Sequence, residues 1–313
     1  MKFEKATKPT MYFIGVTTGK SSIMTLFPKW ADILDLGDVV IKGIDIEIHA
    51  AAETYREVVE FIKGDELSLG ALVTTHKIDL YHAAKDLFDE FDPFARSFGE
   101  LSSISKRDGK LIGHAKDPIT SGLAMEAFIP ANYWSDHKGD LFIMGAGGSA
   151  IAICSYLLQE KHGHNIPSRI IVTNRSQPRL DEIERIVKEL RPDVESQFYL
   201  CPNSGDNNEV LSPISPHSLI VNATGLGKDR PGSPLSDNVD FPLQSLIWEL
   251  NYRGDLTMLK QAFQAQEKCE LTVEDGWVYF LHGWTQVIAE VFNIEMTDEK
   301  FDEIEKISNS IRS

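Results

Sequence analysis

A short apolar strand that runs into glycines and then into an apolar helix constrains this chain more than any other feature. Asp140-Leu-Phe-Ile-Met144 leads into Gly145-Ala146-Gly147-Gly148-Ser149-Ala150, and helix-forming sequence follows from Ala150 to Glu160. The turn matches GxGxx(G/A), with Ala150 in the third slot. Small residues are needed there because a pyrophosphate must approach the backbone closely, while the helix N-terminus supplies N–H donors and a partial positive charge. The bland alternative is a tight strand–helix turn with no ligand. The next strand, Arg169-Ile-Ile-Val-Thr173, runs into Asn174-Arg175-Ser176, with no carboxylate until Asp181. An acid at that strand end would hold the ribose hydroxyls of NAD. Its absence, with Arg175 placed to fork onto a 2′-phosphate and stack on a planar base, points to NADP. A solvated surface arginine is the other reading of Arg175.

The surrounding pattern is that of an α/β protein. Ile44, Ile46 and Ile48 alternate with charged residues as in a half-buried strand, and Tyr55, Val58, Val59 and Ile62 mark one face of a helix ending near Gly64. A strand over Ala71–Thr74 and a helix over roughly 78–90 follow. Strands separated by helices of this length predict βαβ units and a mainly parallel sheet. Beyond Thr173, Leu180, Ile183, Val187 and Leu190 mark a helix ended by Pro192, and Ser218–Asn222 and Ser245–Leu250 read as buried strands. The polar, Pro-containing stretch 130–138 follows a helix at 119–129 and reads as a link between domains; the last forty residues are helical from about Gly276. A length of 313 residues suits two domains.

Charge narrows the class. Lys and Arg number 31 against 47 Asp and Glu, a net −16, which disfavours nucleic acid as a partner. Residues 1–127 carry 15 basic and 20 acidic side chains and residues 128–313 carry 16 and 27, so the part expected to hold a polyanionic cofactor is the more acidic one. Phosphate binding there must be local, through backbone N–H groups at Gly145–Gly148 and cations near Arg175. No apolar run approaches the roughly 20 residues of a membrane helix, and the N-terminal MKFEKATKPT has no apolar core of a secretory signal. Cys154, Cys201 and Cys269 are odd in number and never in a CxxC pair, so a cytoplasmic setting with neither disulfide framework nor zinc site is expected. His162-Gly-His164 has metal-like spacing but no cysteine or carboxylate close by in its loop; no metal is expected.

Several segments in order resemble the shikimate/quinate dehydrogenase family. Val73-Thr74-Thr75-His76-Lys77 is similar to its VTxPxK segment, one residue short and without the proline. Asp108-Gly-Lys-Leu-Ile-Gly113-His-Ala-Lys-Asp117 resembles DGxLxGxNTD, and Gly145–Gly148 with Asn174-Arg175-Ser176 resembles the family's glycine loop and phosphate clamp. Val221-Asn222-Ala223-Thr224-Gly225-Leu226-Gly227 resembles VNATPLG, Trp248-Glu-Leu-Asn-Tyr252 with Thr257 five residues on resembles DxxYxPxxT, and Asp275-Gly276 followed by Leu281-His282-Gly283 stands where the family has a glycine and then LxxQG. The resemblance implies an α/β substrate-binding and catalytic domain over 1–129, a Rossmann-like NADP-binding domain over 130–275, and a C-terminal helical segment, 276–313, returning to the first domain, with a cleft between the domains. It implies hydride transfer between nicotinamide C4 and a ring hydroxyl or ketone of a shikimate-like cyclic acid, as in aromatic amino acid biosynthesis, with Lys77 and Asp117 carrying the proton step; a homodimer is compatible with it. The cofactor residues it implies are Gly145, Ala146, Gly147, Gly148, Ser149, Ala150, Asn174, Arg175, Ser176, Asn222, Ala223, Thr224 and Gly276. Those for substrate are Ser21, Thr74, Ser102, Asp117, Tyr252 and His282. The residue types suit these roles: alcohol oxidation needs a positioned base, and an ammonium beside a carbonyl oxygen stabilises developing negative charge.

The substrate half departs from the family pattern more than the cofactor half. SxSP has become Ser21-Ser22-Ile23-Met24, two asparagine positions carry Ser102 and Ala115, a threonine carries Lys116, and a glutamine carries His282. A site built to bond given hydroxyls discriminates steeply, by about 10⁴ or more, because unpaired buried polar groups are costly. These changes therefore predict a substrate other than shikimate. Lys20, His76, Lys116 and His282 are candidates for the altered pocket, against solvated loop charges, a surface strand-end histidine and a satisfied helix histidine respectively. Trp248, Trp277 and Trp284 read as core or cleft-wall aromatics. Two further readings are a non-catalytic NADP- or metabolite-binding module and a different dehydrogenase on the same plan, such as a methylenetetrahydrofolate dehydrogenase.

Overall fold

Six consecutive buried residues, Thr10–Gly15 (β1), form the axis of the first sheet, between Val40–Asp45 (β2) and Ser68–Val73 (β3) and parallel to both. The computed structural model describes residues 3–228 and 230–312. It divides into two units, the chain through Lys116 with the residues from Gly283 onward, and Asp117–His282. The change of unit thus falls at 116/117 and 282/283, where the sequence reading has it at 129/130 and 275/276.

In the first unit, Ile23–Ile33 (α1) precedes β2, and Ala52–Gly64 (α2) follows it, burying Tyr55, Val58, Val59 and Ile62 as their spacing predicts. β2 stops at Asp45, so only Ile44 and Ile46 of the expected alternating strand are buried; Ile48 is 57% exposed. Lys77–Ala84 (α3) is shorter than the expected helix, passing through one 3₁₀ turn at Lys85–Leu87 into Glu90–Phe91 (β4), where Asp89 N–H donates to the Leu111 carbonyl. Pro93–Phe98 (α4) is capped by Asp92, whose Oδ1 accepts from Ala95 N–H, and ends on left-handed Gly99.

Ser103–Arg107 (β5) and Lys110–His114 (β6) complete a sheet of order β2-β1-β3-β5-β6-β4. Three of its five pairings are parallel, as expected, while the β3–β5 and β5–β6 pairings are antiparallel. The β5–β6 reversal is local: Asp108 and Gly109, at φ +52° and +76°, make a two-residue hairpin whose left-handed residues match strand twist and reverse the chain.

The second unit opens with Asp117–Glu126 (α5) and Tyr133–His137 (α6). The segment expected as a polar link therefore contains a short helix, and Tyr133 and Trp134 in it are buried. Six parallel strands follow: Leu141–Met144 (β7), Arg169–Asn174 (β8), Glu195–Leu200 (β9), Leu219–Asn222 (β10), Leu246–Glu249 (β11) and Thr272–Glu274 (β12). Their order, β12-β11-β10-β7-β8-β9, is that of a doubly wound sheet whose direction of winding reverses between β7 and β10. The connecting helices are Gly148–Leu157 (α7), Gln177–Leu190 (α8), Ser204–Leu211 (α9) and Thr257–Cys269 (α10). Phe142, Met144, Ile171, Ile220, Ile247 and Met258 form the core on one face. The sheet's N-terminal edge is fixed by Asp140, 1% exposed, which accepts from Arg169 Nε (2.9 Å) and Nη2 (2.6 Å) and from Ser215 N–H. Burial alone would raise this carboxyl; the guanidinium and the N–H outweigh it and hold it below the usual carboxylate range.

Trp277–Phe292 (α11) and Asp298–Asn309 (α12) end the chain. Within the first unit, Trp284 meets Phe13 edge-on at 4.9 Å and Trp30 Nε1 donates to Ser308 Oγ at 3.0 Å. Among the described residues no helix is long and apolar enough to cross a membrane, and no group of three or more His, Cys, Asp or Glu is placed to hold a metal ion. His162 instead packs edge-on against Tyr156.

Candidate functional site

The glycine turn lies where the winding of the second sheet reverses. Gly145, immediately after β7, has φ +111°, and a Cβ on it would lie 2.5 Å from the Ala223 carbonyl oxygen. Glycine is required there both by conformation and by the close approach of the β10 loop. Ala146 and Ala150 are buried, while Gly148 and Ser149 are half-buried in the first turn of α7. Gly147 is the N-cap of α7, and a Cβ on it would meet nothing within 4 Å. The turn thus presents open space directly above free helix N–H donors, the geometry an anionic group can use.

At the end of β8, Asn174 Oδ1 accepts from Arg175 N–H (2.7 Å) and its carbonyl accepts from Cys201 N–H (2.8 Å), fixing the strand end. The Arg175 side chain is exposed, and Ser176 is the N-cap of α8. Asp181 is turned to Gln177, whose Nε2 donates to it at 2.7 Å.

The loop after β10 is organised by a residue to which the sequence gives no role of its own. Glu249, at the end of β11, is 0% exposed; its Oε2 accepts from Asn222 Nδ2 (2.6 Å) and its Oε1 from Asn251 Nδ2 (2.6 Å) and N–H (3.0 Å). Burial pushes this carboxyl up to about 7 despite those three donors. Asn222, expected as a cofactor contact, is itself fully buried, and its amide is engaged with Glu249, Thr224 and the Leu226 carbonyl. Its side chain shapes the loop that carries Ala223 and Thr224. Gly276 is needed by the chain itself, since a Cβ there would lie 2.0 Å from the Leu250 carbonyl oxygen. Tyr252 packs on Phe280 (4.5 Å) and Trp277 (5.7 Å), with Lys228 Nζ 5.5 Å from its ring centre.

In the first unit, Thr74 donates from Oγ1 to the Ile14 carbonyl (3.1 Å), and Lys77, half-buried, opens α3 directly after β3. Asp117 opens α5 and is 9% exposed; its carbonyl accepts from Ser121 Oγ at 2.7 Å. Ser102 and Lys116 are brought together, Lys116 N–H donating to Ser102 Oγ at 2.6 Å. Lys116 Nζ pairs with Glu290 Oε2 at 2.5 Å, and Arg107 bonds the other oxygen at 3.2 Å. Lys116, a candidate for the altered pocket, is therefore held in an ion-pair cluster. His76 is not a surface residue: it is 1% exposed, with Nδ1 3.1 Å from the Tyr55 hydroxyl. His282 is 9% exposed, and burial pushes it down to about 4, so it is neutral at ordinary pH. Ser21 is half-buried after the 3₁₀ turn that ends in exposed Lys20. Ile23 and Ala115, at polar positions of the resembled pattern, are both 0% exposed. Trp248, Trp277 and Trp284 are all buried.

No family model matches the chain. Three curated relatives named shikimate dehydrogenase (NADP(+)) align with parts of it. That of Hydrogenovibrio crunogenus is 27% identical over 195 residues, 62% of each chain; that of Lactococcus lactis is 24% identical over 165 residues, 53% of this chain and 54% of its own. That of Symbiobacterium thermophilum is 26% identical over 206 residues, 63% and 64% respectively. The chain thus spans between about half and two thirds of the curated relatives it matches. Among solved structures, shikimate 5-dehydrogenase from Listeria monocytogenes superposes with a TM-score of 0.72 at 19% identity, covering 98% of this chain and 99% of that one. A 5-ketofructose reductase of Gluconobacter superposes with a TM-score of 0.69 at 15% identity, covering 96% and 99%. The chain is similar in sequence to shikimate dehydrogenases over part of its length and has their α/β fold.

Proposed function

We propose that the chain is an NADP-dependent oxidoreductase that moves a hydride between nicotinamide C4 and a ring hydroxyl or ketone of a shikimate-like cyclic polyol acid. The observation that carries this reading is the turn at Gly145–Gly148, open above Gly147, with Arg175 exposed on the acid-free end of the neighbouring strand. The names of the curated relatives support the same cofactor. Bound nicotinamide supplies the hydride acceptor or donor. Residues 145–150 hold the pyrophosphate through N–H groups and the α7 dipole, while Asn174, Arg175 and Ser176 take the 2′-phosphate. Ala223, Thr224 and Gly276 line the nicotinamide end. Lys77 takes the hydroxyl proton on oxidation and returns it to the carbonyl oxygen on reduction; Asp117 orients its amine and the substrate hydroxyls. Ser21, Thr74, Ser102, Tyr252 and His282 complete the substrate contacts.

The substrate is a variant of the shikimate class. Ile23 and Ala115 are buried apolar groups with no hydrogen bond to offer, and the Ser102 hydroxyl already accepts from Lys116. The test is NADP⁺ reduction, or NADPH oxidation for the ketones, over shikimate, quinate, aminoshikimate, cyclitols and ketohexoses. Turnover is expected with at least one; tight NADP binding with no turnover on any of them overturns the assignment. Arg175→Ala should weaken NADPH binding by about 10–100-fold, the loss of one or two charge-assisted hydrogen bonds, and leave NADH binding unchanged. Equal weakening of both nucleotides in a binding titration would remove Arg175 from the 2′-phosphate site.

A further inference from the structure

We propose that Glu249 is a positioning residue for nucleotide binding: as a carboxylate it locks the loop Ala223–Lys228 through Asn222 and Asn251, and on protonation it lets that loop loosen. The inference rests on the cofactor reading above and assigns a role to a residue that touches neither cofactor nor substrate.

The lock is a continuous set of hydrogen bonds. Asn222 and Asn251, each bonded to Glu249, both donate also to the Leu226 carbonyl, at 3.3 and 3.0 Å. Asn222 Oδ1 accepts from Thr224 N–H (3.1 Å) and Oγ1 (2.7 Å), and Thr224 Oγ1 accepts from Leu226 N–H (3.1 Å). The loop so held is the one whose Ala223 carbonyl abuts Gly145 and whose Ala223 N–H donates to Met144 at 2.8 Å. Glu249 therefore reaches the glycine turn in two steps, through Asn222 and Ala223.

Three N–H donors converge on Glu249, and bonds to an ionised carboxylate are shorter and roughly twice as strong as bonds to a neutral carboxyl. A proton on either oxygen removes that charge assistance and weakens the bonds that hold Asn222 and Asn251. Burial, first, and then the Asp275 carboxylate bring that protonation to about pH 7. Among the described residues, the flanking segments also carry Glu274 of β12, beside Trp248 across the sheet, Lys228, over the Tyr252 ring, Arg230, whose carbonyl accepts from Gly227 N–H, and Arg253 and Asp255 beyond β11. A group whose carboxyl is raised in the fold weakens stability as pH rises through that value. Ionised Glu249 thus works against stability while ordering the loop, and the two effects have opposite pH dependence. A purely structural acid would move both in the same direction.

The experiment is NADPH binding by fluorescence to wild type and Glu249→Gln from pH 6 to pH 8.5, with thermal midpoints measured in parallel. The nucleotide's own phosphate titrates equally with both proteins, so their affinity ratio isolates Glu249. Wild type should bind about tenfold more tightly than the variant at pH 8 and equally at pH 6. The wild-type midpoint should fall relative to the variant's over the same interval. A pH-independent ratio, or equal binding throughout, overturns the proposal. Amide hydrogen exchange of the unliganded wild type covers the case of a variant that does not fold. Thr224 and Leu226, corrected for intrinsic exchange, should lose protection between pH 8 and pH 6, and unchanged protection overturns the proposal. A wild type that binds no nicotinamide nucleotide at any pH overturns the cofactor reading instead, and the exchange measurement still decides the loop.

Discussion

Lys77→Ala should lower kcat by at least about 10²-fold with any substrate the protein turns over, the usual contribution of one positioned general acid–base group. The side chain is half-buried at the first position of α3, and alanine is a good helix former, so the fold should be unaffected. NADPH affinity should stay within about twofold, because the pyrophosphate and 2′-phosphate contacts are proposed to come from residues 145–150 and 174–176. The loss should sit in kcat and kcat/KM alike, the pattern of an interaction made in the transition state. In the reductive direction, where Lys77 gives up its proton, the alkaline limb of the wild-type pH profile should vanish in the variant's residual activity. Activity within threefold of wild type, measured on a protein with unchanged circular dichroism, would remove Lys77 from the proton step. Asp117→Asn should cost less, since an amide still orients the amine and loses only the charge.

The legibility of this molecule follows how far apart the cooperating residues lie in sequence. The glycine turn and the helix face at Tyr55, Val58, Val59 and Ile62 are local patterns, and both form as their spacing predicts. The β5–β6 hairpin of the first sheet is also written locally, in Asp108-Gly109, a two-residue signal that counting alternating strands and helices passes over. The shortened α3 was not legible: what ends it is pairing of Glu90–Phe91 with β6, more than twenty residues away. His76 reads as a strand-end surface residue until Tyr55 is seen to cover it. Glu249 is the furthest from local pattern. In Trp-Glu-Leu-Asn it looks like one acid in a buried strand, and only parallel pairing of β11 with β10 sets Asn222 directly beside it. Burial also redistributes expected roles, so that Asn222 organises its loop with the side chain that the motif alone assigns to ligand.

The two glycines that begin the turn should separate folding from binding. Gly145→Ala imposes a side chain at φ +111° and drives a Cβ to 2.5 Å from a backbone oxygen that cannot swing away as a side chain would. Strained backbone of this kind costs of order 1–3 kcal/mol, and the clash adds to it, so a loss of about 2–4 kcal/mol in urea unfolding is expected, with NADPH binding lost too. Gly147→Ala has φ −92° and open space, so its stability should stay within about 0.5 kcal/mol of wild type. If the pyrophosphate fills that space, the added methyl stands where a phosphate oxygen must approach, and NADPH affinity should fall by about tenfold or more. A Gly147→Ala protein that is stable and binds NADPH as wild type does would mean that no phosphate packs against this turn. The strand–glycine–helix sequence would then be a tight connection only, as its bland alternative has it.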